Sequence, residues 1–298
     1  MKIVLTIIII IFSCFRGISQ NIIVADSLTK KPLSFTVIKF NQNGFYTSQK
    51  GDFNINKIDT DSFEVSMLGY KKAIIKTTTV KDTLFLSNEI NLLDEVVVSN
   101  NKTISKNLKL LKSPNIFGSW VLQPKSEILA AIYPSNEIKN YYIDKIHIGF
   151  AKVKEKKELK DSNIKAYVRL HIYELENNKP SNSIYSSEPI DVNSFEKDEI
   201  VFDISNNLIK LEQNGIFVGL ELIGYYSEKS IFTDFDANPI IRPLLTKKNS
   251  NYFSSKTFIR YVFKNQIEMI TVGDSIRKGM TWDKEIIRNL NIGFEISK

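Results

Sequence analysis

His147 and His171 are the only histidines in this chain. Both fall within alternating apolar and polar runs that read as strands. Neither has a Cys or Glu at a metal-ligand spacing, so no metal site and no cofactor are expected. A nucleophilic triad needs a Ser or Cys, a His and an acid brought together by the fold. Serines are plentiful, but the Gly-x-Ser-x-Gly elbow is absent, and no catalytic residue is expected. Asp203 and Glu221 are of the right type for a glycosidase pair, which in a retaining enzyme must stand about 5–5.5 Å apart. Asp234-Phe235-Asp236-Ala237-Asn238 alternates oxygen ligands as a calcium loop does, but lacks the Gly of the sharp turn and the distal Glu. It reads as a plain acidic loop.

The strongest binding signal is a strand face. From Ile164 to Leu175, Ala166, Val168, Leu170 and Ile172 point one way, and Tyr167, Arg169, His171 and Tyr173 the other. Tyr and Trp present flat apolar faces with polar tips, which suits sugar rings or protein partners. Tyr225, Tyr226 and Trp282 are candidate neighbours. The alternative is that this face packs on another sheet or strand.

The elements around these residues are short and apolar, separated by turn residues, and few have a helical period. Residues 1–19 read as a secretory signal: Lys2, an apolar run from Ile3 to Phe12, and Gly17 and Ser19 before Gln20. A run this short does not span a bilayer, and no later segment is long and apolar enough to do so. Cys14, the one cysteine, sits in a weak lipobox-like context. A lipid anchor there is disfavoured because Phe12 is bulky. The net charge of +7 falls to +5 when Lys2 and Arg16 leave with the signal, and no basic stripe of the kind that binds nucleic acid is present.

Residues 20–88 alternate apolar runs with turns at Asp26-Ser27, Leu28 to Lys31, Asn43-Gly44, Lys50-Gly51-Asp52 and Gly69-Tyr70. The runs are Ile22–Ala25, Phe35–Phe40, Phe53–Ile55, Phe63–Met67, Ala73–Ile75 and Leu84–Leu86. The spacing predicts an antiparallel sandwich of about seven strands. Asp26, Thr29, Pro32, Leu33, Gly44, Thr47, Gly51, Phe53, Gly69 and Tyr70 stand in an order that resembles the carboxypeptidase regulatory-like domain, a transthyretin-like (prealbumin-like) β-sandwich. The resemblance covers residues 21 to about 100. It implies fold residues rather than a ligand site, and a module that is generally non-catalytic. Leu92 to Ser99 looks like the segment that follows this module in TonB-dependent outer-membrane receptors. The remaining chain lacks the strand series of a transporter barrel. Residues 89–115 read as a tether, with Leu108, Leu110 and Leu111 spaced for a strand or a helical turn.

Residues 116–298 read as a larger, jelly-roll-like β-sandwich of about eight to ten strands. The chain as a whole is thus all-β. Within residues 116–298, the order Val168 to Tyr173, Asn178-x-Pro180, Phe202-Asp203-Ile204 and Gly215-x-Phe217 to Glu221 resembles uncharacterised β domains of exported envelope proteins. The expectation is a non-enzymatic exported binding or scaffold protein of the Gram-negative cell envelope, in the periplasm or outer membrane. Its partner would be an envelope protein or a glycan. The alternatives are a glycan-binding accessory protein using the Tyr167–Tyr173 face, and a carbohydrate hydrolase using Asp203 and Glu221.

Overall fold

The computed structural model describes residues 21–89, 104–151, 165–192, 198–226, 232–233, 241–264, 269–280 and 287–298. The signal segment, the Asp234–Asn238 loop and Trp282 lie outside them. The protein is all-β and divides into two compact units, the first of residues up to Glu89 except Gln42–Phe45, the second of the remainder.

Residues 21–89 hold seven strands: β1 (Asn21–Asp26), β2 (Val37–Phe40), β3 (Asn43–Tyr46), β4 (Asp52–Asn54), β5 (Ser62–Ser66), β6 (Ala73–Lys76) and β7 (Thr83–Leu86). They form a three-stranded sheet, β4-β1-β7, and a four-stranded sheet, β3-β2-β5-β6. Period-two alternation builds the core: Ile22 and Val24 of β1, Ile38 of β2, and Phe63 and Val65 of β5 are buried. The sheets meet where the Phe53 and Phe63 rings stand edge to face at 6.0 Å.

Three local expectations are corrected. The unit is not wholly antiparallel, because β1 pairs with β7 in parallel. The strand expected from Phe35 starts at Val37, since Phe35 holds a left-handed φ of 54°. The turn assigned to Asn43-Gly44 lies two residues earlier, at Asn41-Gln42, where Asn41 takes φ 52°. Asn is one of the few side chains that tolerate that conformation. Gly44 is instead buried within β3.

Asp26 organises the turn after β1. Its Oδ1 accepts the backbone N–H groups of Leu28 and Thr29 at 2.8 and 2.6 Å, and its Oδ2 accepts the Tyr70 hydroxyl at 2.8 Å. The Thr29 and Tyr70 bonds hold its carboxyl below the usual range. Gly51, at φ +75°, crosses so close to Val24, Pro32 and Leu33 that a Cβ would press on all three. Thr47 donates to the Leu33 carbonyl and accepts the Thr36 N–H.

The second unit contains β8 (Ser105–Leu108), β9 (Ile116–Ser119), β10 (Ser126–Pro134), β11 (Tyr142–Gly149), β12 (Lys165–Glu176), β13 (Lys179–Ser186), β14 (Ile190–Asp191), β15 (Glu199–Asp203), β16 (Ile216–Tyr226), β17 (Phe232–Thr233), β18 (Leu244–Thr246), β19 (Phe253–Tyr261), β20 (Ile270–Thr271), β21 (Asn289–Leu290) and β22 (Ile292–Ser297). The large sheet runs β13-β12-β16-β10-β19-β20, with β14 and β17 attached. A four-stranded sheet runs β15-β11-β22-β8, and a three-stranded one β21-β18-β9. The large and four-stranded sheets enclose one apolar core, to which Ile128, Val168 and Leu220 contribute from one side and Ile146, Phe202 and Phe294 from the other. Phe253 meets Phe294 edge to face across it at 5.3 Å.

The expected tether is partly strand. Ser105–Leu108 pairs with Ile292–Ser297, and Leu108 is buried. Near the C-terminus, β21 and β22 are parted at Asn291 and belong to two different sheets. One helix was not anticipated: α1 (Val272–Met280), whose N-terminus is closed by Thr271 and Asp274. Thr271 Oγ1 accepts the Asp274 N–H at 3.1 Å and bonds the Asp274 carboxylate. Thr271-Val272-Gly273-Asp274 carries the Thr-x-x-Asp spacing of a capping box. Among the described residues, no helix is long and apolar enough to cross a membrane.

Candidate functional site

Register decides what happens to the Tyr167–Tyr173 face. In the large sheet Arg169 on β12 lies opposite Glu221 on β16, Glu221 opposite Glu127 on β10, and Glu127 opposite Arg260 on β19. One row across four strands therefore reads Arg, Glu, Glu, Arg. Two carboxylates facing each other are destabilising unless each is neutralised. Arg260 does this for Glu127 with Nε and Nη2 both 2.7 Å from Oε2. Tyr173 adds its hydroxyl to Glu127 Oε1 at 3.1 Å. For Glu221, His171 Nε2 stands 2.8 Å and Arg169 Nη1 3.8 Å from Oε2. His171 stacks on Tyr173, and the Arg260 guanidinium lies 4.8 Å over the Tyr173 ring.

The row is buried: Glu127 and Glu221 are 1% and 2% exposed, Arg169 and Arg260 7% each. Burial, then Glu127, pushes the Tyr173 hydroxyl well above the ordinary tyrosine value. Burial works to lower the Arg260 guanidinium, but Glu127 and its neighbours outweigh it and the group is held more firmly protonated. Gly219 leaves the space into which Glu127 reaches, and a Cβ there would overlap Glu127 Oε1. Tyr167 is buried too and meets Tyr226 edge to face at 5.8 Å. Tyr226 thus joins this face, as anticipated, whereas Tyr225 turns into the core on the opposite one.

The four residues singled out from sequence are brought together, but not as an open shelf. Arg169 and His171 direct their polar atoms at Glu221, and Tyr173 directs its hydroxyl at Glu127; Glu127 and its partner Arg260 are two residues that sequence reasoning missed. The signal for Glu127 was a lone charge in an apolar strand, where it shares its face with Leu129 and Ala131; Arg260 shares its face with Phe258 and Lys256 and carried no such signal. Asp203 and Glu221 do not converge. Asp203 is exposed at the end of β15, where it accepts the Ser205 N–H and hydroxyl, and its strand neighbour Phe202 is in the core. Glu221 lies between the core residues Leu220 and Leu222, on the outward face of a different sheet. The Ser205 hydroxyl holds the Asp203 carboxyl below its usual value.

A separate cleft of about 550 Å³ opens on the outward face of the four-stranded sheet. Its floor includes His147, whose strand neighbours Ile146 and Ile148 point into the core. His147 Nδ1 lies 3.4 Å from Glu199 and Nε2 3.3 Å from Glu295. The second contact lacks hydrogen-bond geometry, although Nε2 is shut off from solvent. One wall is the segment after β8, residues 109–113. Asn291 holds it by accepting the Leu111 N–H and donating to the Leu111 carbonyl, both at 3.0 Å. Gly293 lets it lie close, since a Cβ there would stand 2.5 Å from the Leu108 carbonyl oxygen.

Two predictions arise here. Asn291→Ala is expected to cost about 2 kcal/mol, because two bonds to a partly buried backbone are lost. Urea unfolding followed by tryptophan fluorescence measures it, since both tryptophans, Trp120 and Trp282, belong to the second unit. The second concerns Glu295, whose carboxyl is lowered from 4.5, first by its bond from Lys145 at 2.9 Å. A lowered carboxyl stabilises the fold above the unfolded value, and that contribution is lost as pH falls through the folded one. It is therefore complete at neutral pH and disappears only below about 4.5. In Lys145→Met the Glu295 carboxyl resonance should titrate at higher pH than in the parent. An unchanged midpoint would show that the ion pair is not formed in solution.

Among the described residues no cluster of His, Cys, Asp and Glu could hold a metal ion. No family model, curated protein or solved structure matches this chain.

Proposed function

We propose that this is an exported, non-enzymatic binding or scaffold protein of the Gram-negative cell envelope. The observation that carries the binding reading is the cleft over His147, of a size that holds small ligands or short chain segments. Its mixed lining puts chargeable groups beside aliphatic ones. Among the described residues no hydroxyl or thiol hydrogen-bonds His147, so the imidazole lacks the nucleophile that a general base would serve. The hydrolase alternative loses its pair, because Asp203 and Glu221 face outward from different sheets. The glycan alternative rests on the Tyr167–Tyr173 face, where Tyr167 and Arg169 are buried.

The first unit is proposed to be a carboxypeptidase regulatory-like module. In support, the residues that carry that resemblance touch one another: Tyr70 with Asp26, Asp26 with Thr29, Thr47 with Leu33, and Gly51 with Pro32 and Leu33. Export and envelope location follow from the signal-like first 19 residues and from this resemblance.

The test is fractionation of a Gram-negative host expressing the chain tagged at Lys298, followed by gentle solubilisation and co-purification. The reading expects a processed N-terminus and a reproducible envelope partner. A full-length chain in the cytosol would overturn the export, and turnover of a carbohydrate or peptide substrate by the purified protein would overturn the non-enzymatic assignment.

A further inference from the structure

We propose that the cleft over His147 binds a short aliphatic peptide segment through its free carboxylate; this rests on the binding reading above and names the ligand class. Lys109 and Lys112 line the cleft. Both are exposed, and neither forms an ion pair among the described residues. The acidic groups lie at the other edge of the sheet, where Asp198 and Glu199 flank the start of β15, and Glu199 is already engaged with His147. The lysines of the cleft therefore sit on one wall, across the sheet from its two carboxylates. A ligand that completes the cleft brings an anion to that wall.

The rest of the lining decides what kind of anion. Leu110, Leu111, Ile116 and Leu244 supply aliphatic surface, and no Phe, Tyr or Trp lines the cleft. Sugar rings are held by stacking on flat aromatic faces, so an anionic glycan finds no platform. Aliphatic side chains find one, and the Asn107 side chain that also lines the cleft suits a peptide amide. Lysine recognises a carboxylate as a point charge and does not demand the planar, two-bond geometry that arginine would. A chain end, free to rotate, meets that requirement.

The experiment is calorimetric titration of the mature chain with a pool of N-acetylated pentapeptides of Ala, Leu and Val, as free acids and as C-terminal amides. A neutral hexasaccharide is the third titrant. The free acids should bind at least tenfold more tightly than the amides. Lys109→Ala combined with Lys112→Ala should abolish that difference while leaving the urea midpoint unchanged. Equal binding of acid and amide, no binding of either, or saccharide binding weakened by the double substitution would each overturn the proposal. If a partner co-purifies but the peptides do not bind, the ligand class falls and the binding reading stands. If neither occurs, both fall.

Discussion

Replacing Glu127 with alanine is expected to destabilise the second unit by about 3–5 kcal/mol, the cost of leaving a buried charge without its partner. Arg260 would remain in the sheet with nothing to neutralise it, and the Tyr173 hydroxyl would lose its acceptor. The cost is that of breaking the pair, not a measure of what the pair contributes. Buried ion pairs replaced whole by apolar side chains of similar volume are often neutral or stabilising. The triple variant Glu127→Leu, Arg260→Met, Tyr173→Phe should therefore recover most of the loss. Urea unfolding read by tryptophan fluorescence separates the two cases. A Glu127→Ala protein as stable as the parent would mean that water reaches the row and solvates Arg260.

Gly219→Ala should cost about 3 kcal/mol, at the upper end of what overpacking does in a well-filled interior. One methyl group is enough, because it would occupy the place of the Glu127 carboxylate. That carboxylate is the end of a flexible side chain, but Arg260 and Tyr173 pin it from two other strands, so moving aside breaks those bonds. The penalty is conditional. In a Glu127→Ala background the space is empty, and the same methyl should be nearly free. The interaction energy in a double-mutant cycle is then large. Additive losses would place the strain at Gly219 in the backbone instead.

Strand identity was largely legible. The alternation in Lys165–Glu176 correctly divided the core residues Ala166, Val168, Leu170 and Ile172 from their polar neighbours, because a half-buried strand writes its period into the sequence. What those neighbours do was not legible. Whether Arg169 and His171 face solvent, ligand or carboxylate depends on Glu221, some fifty positions away, and on a register that no local pattern encodes. The polar run Ser105–Leu108 reads as linker for a related reason. It has one buried side chain, and its strand character comes from the edge of Ile292–Ser297. The cleft left still less trace. It exists because Gly149 and Gly293 carry no side chains on the sheet's outward face and because Asn291 fastens a distant segment across it. None of these residues is chemically conspicuous.

The parallel pairing of β1 with β7 sets how the first unit meets a pull along its ends. The chain enters the first unit at the start of β1 and leaves it at the far end of β7, with Ile23 beside Thr83 and Asp26 beside Leu86. Tension applied between the start of β1 and the end of β7 draws these neighbours in opposite directions along their common axis. All the bonds between them then bear load together, as in a lap joint, instead of opening one after another from an end. Along that direction β1 and β7 resist in shear.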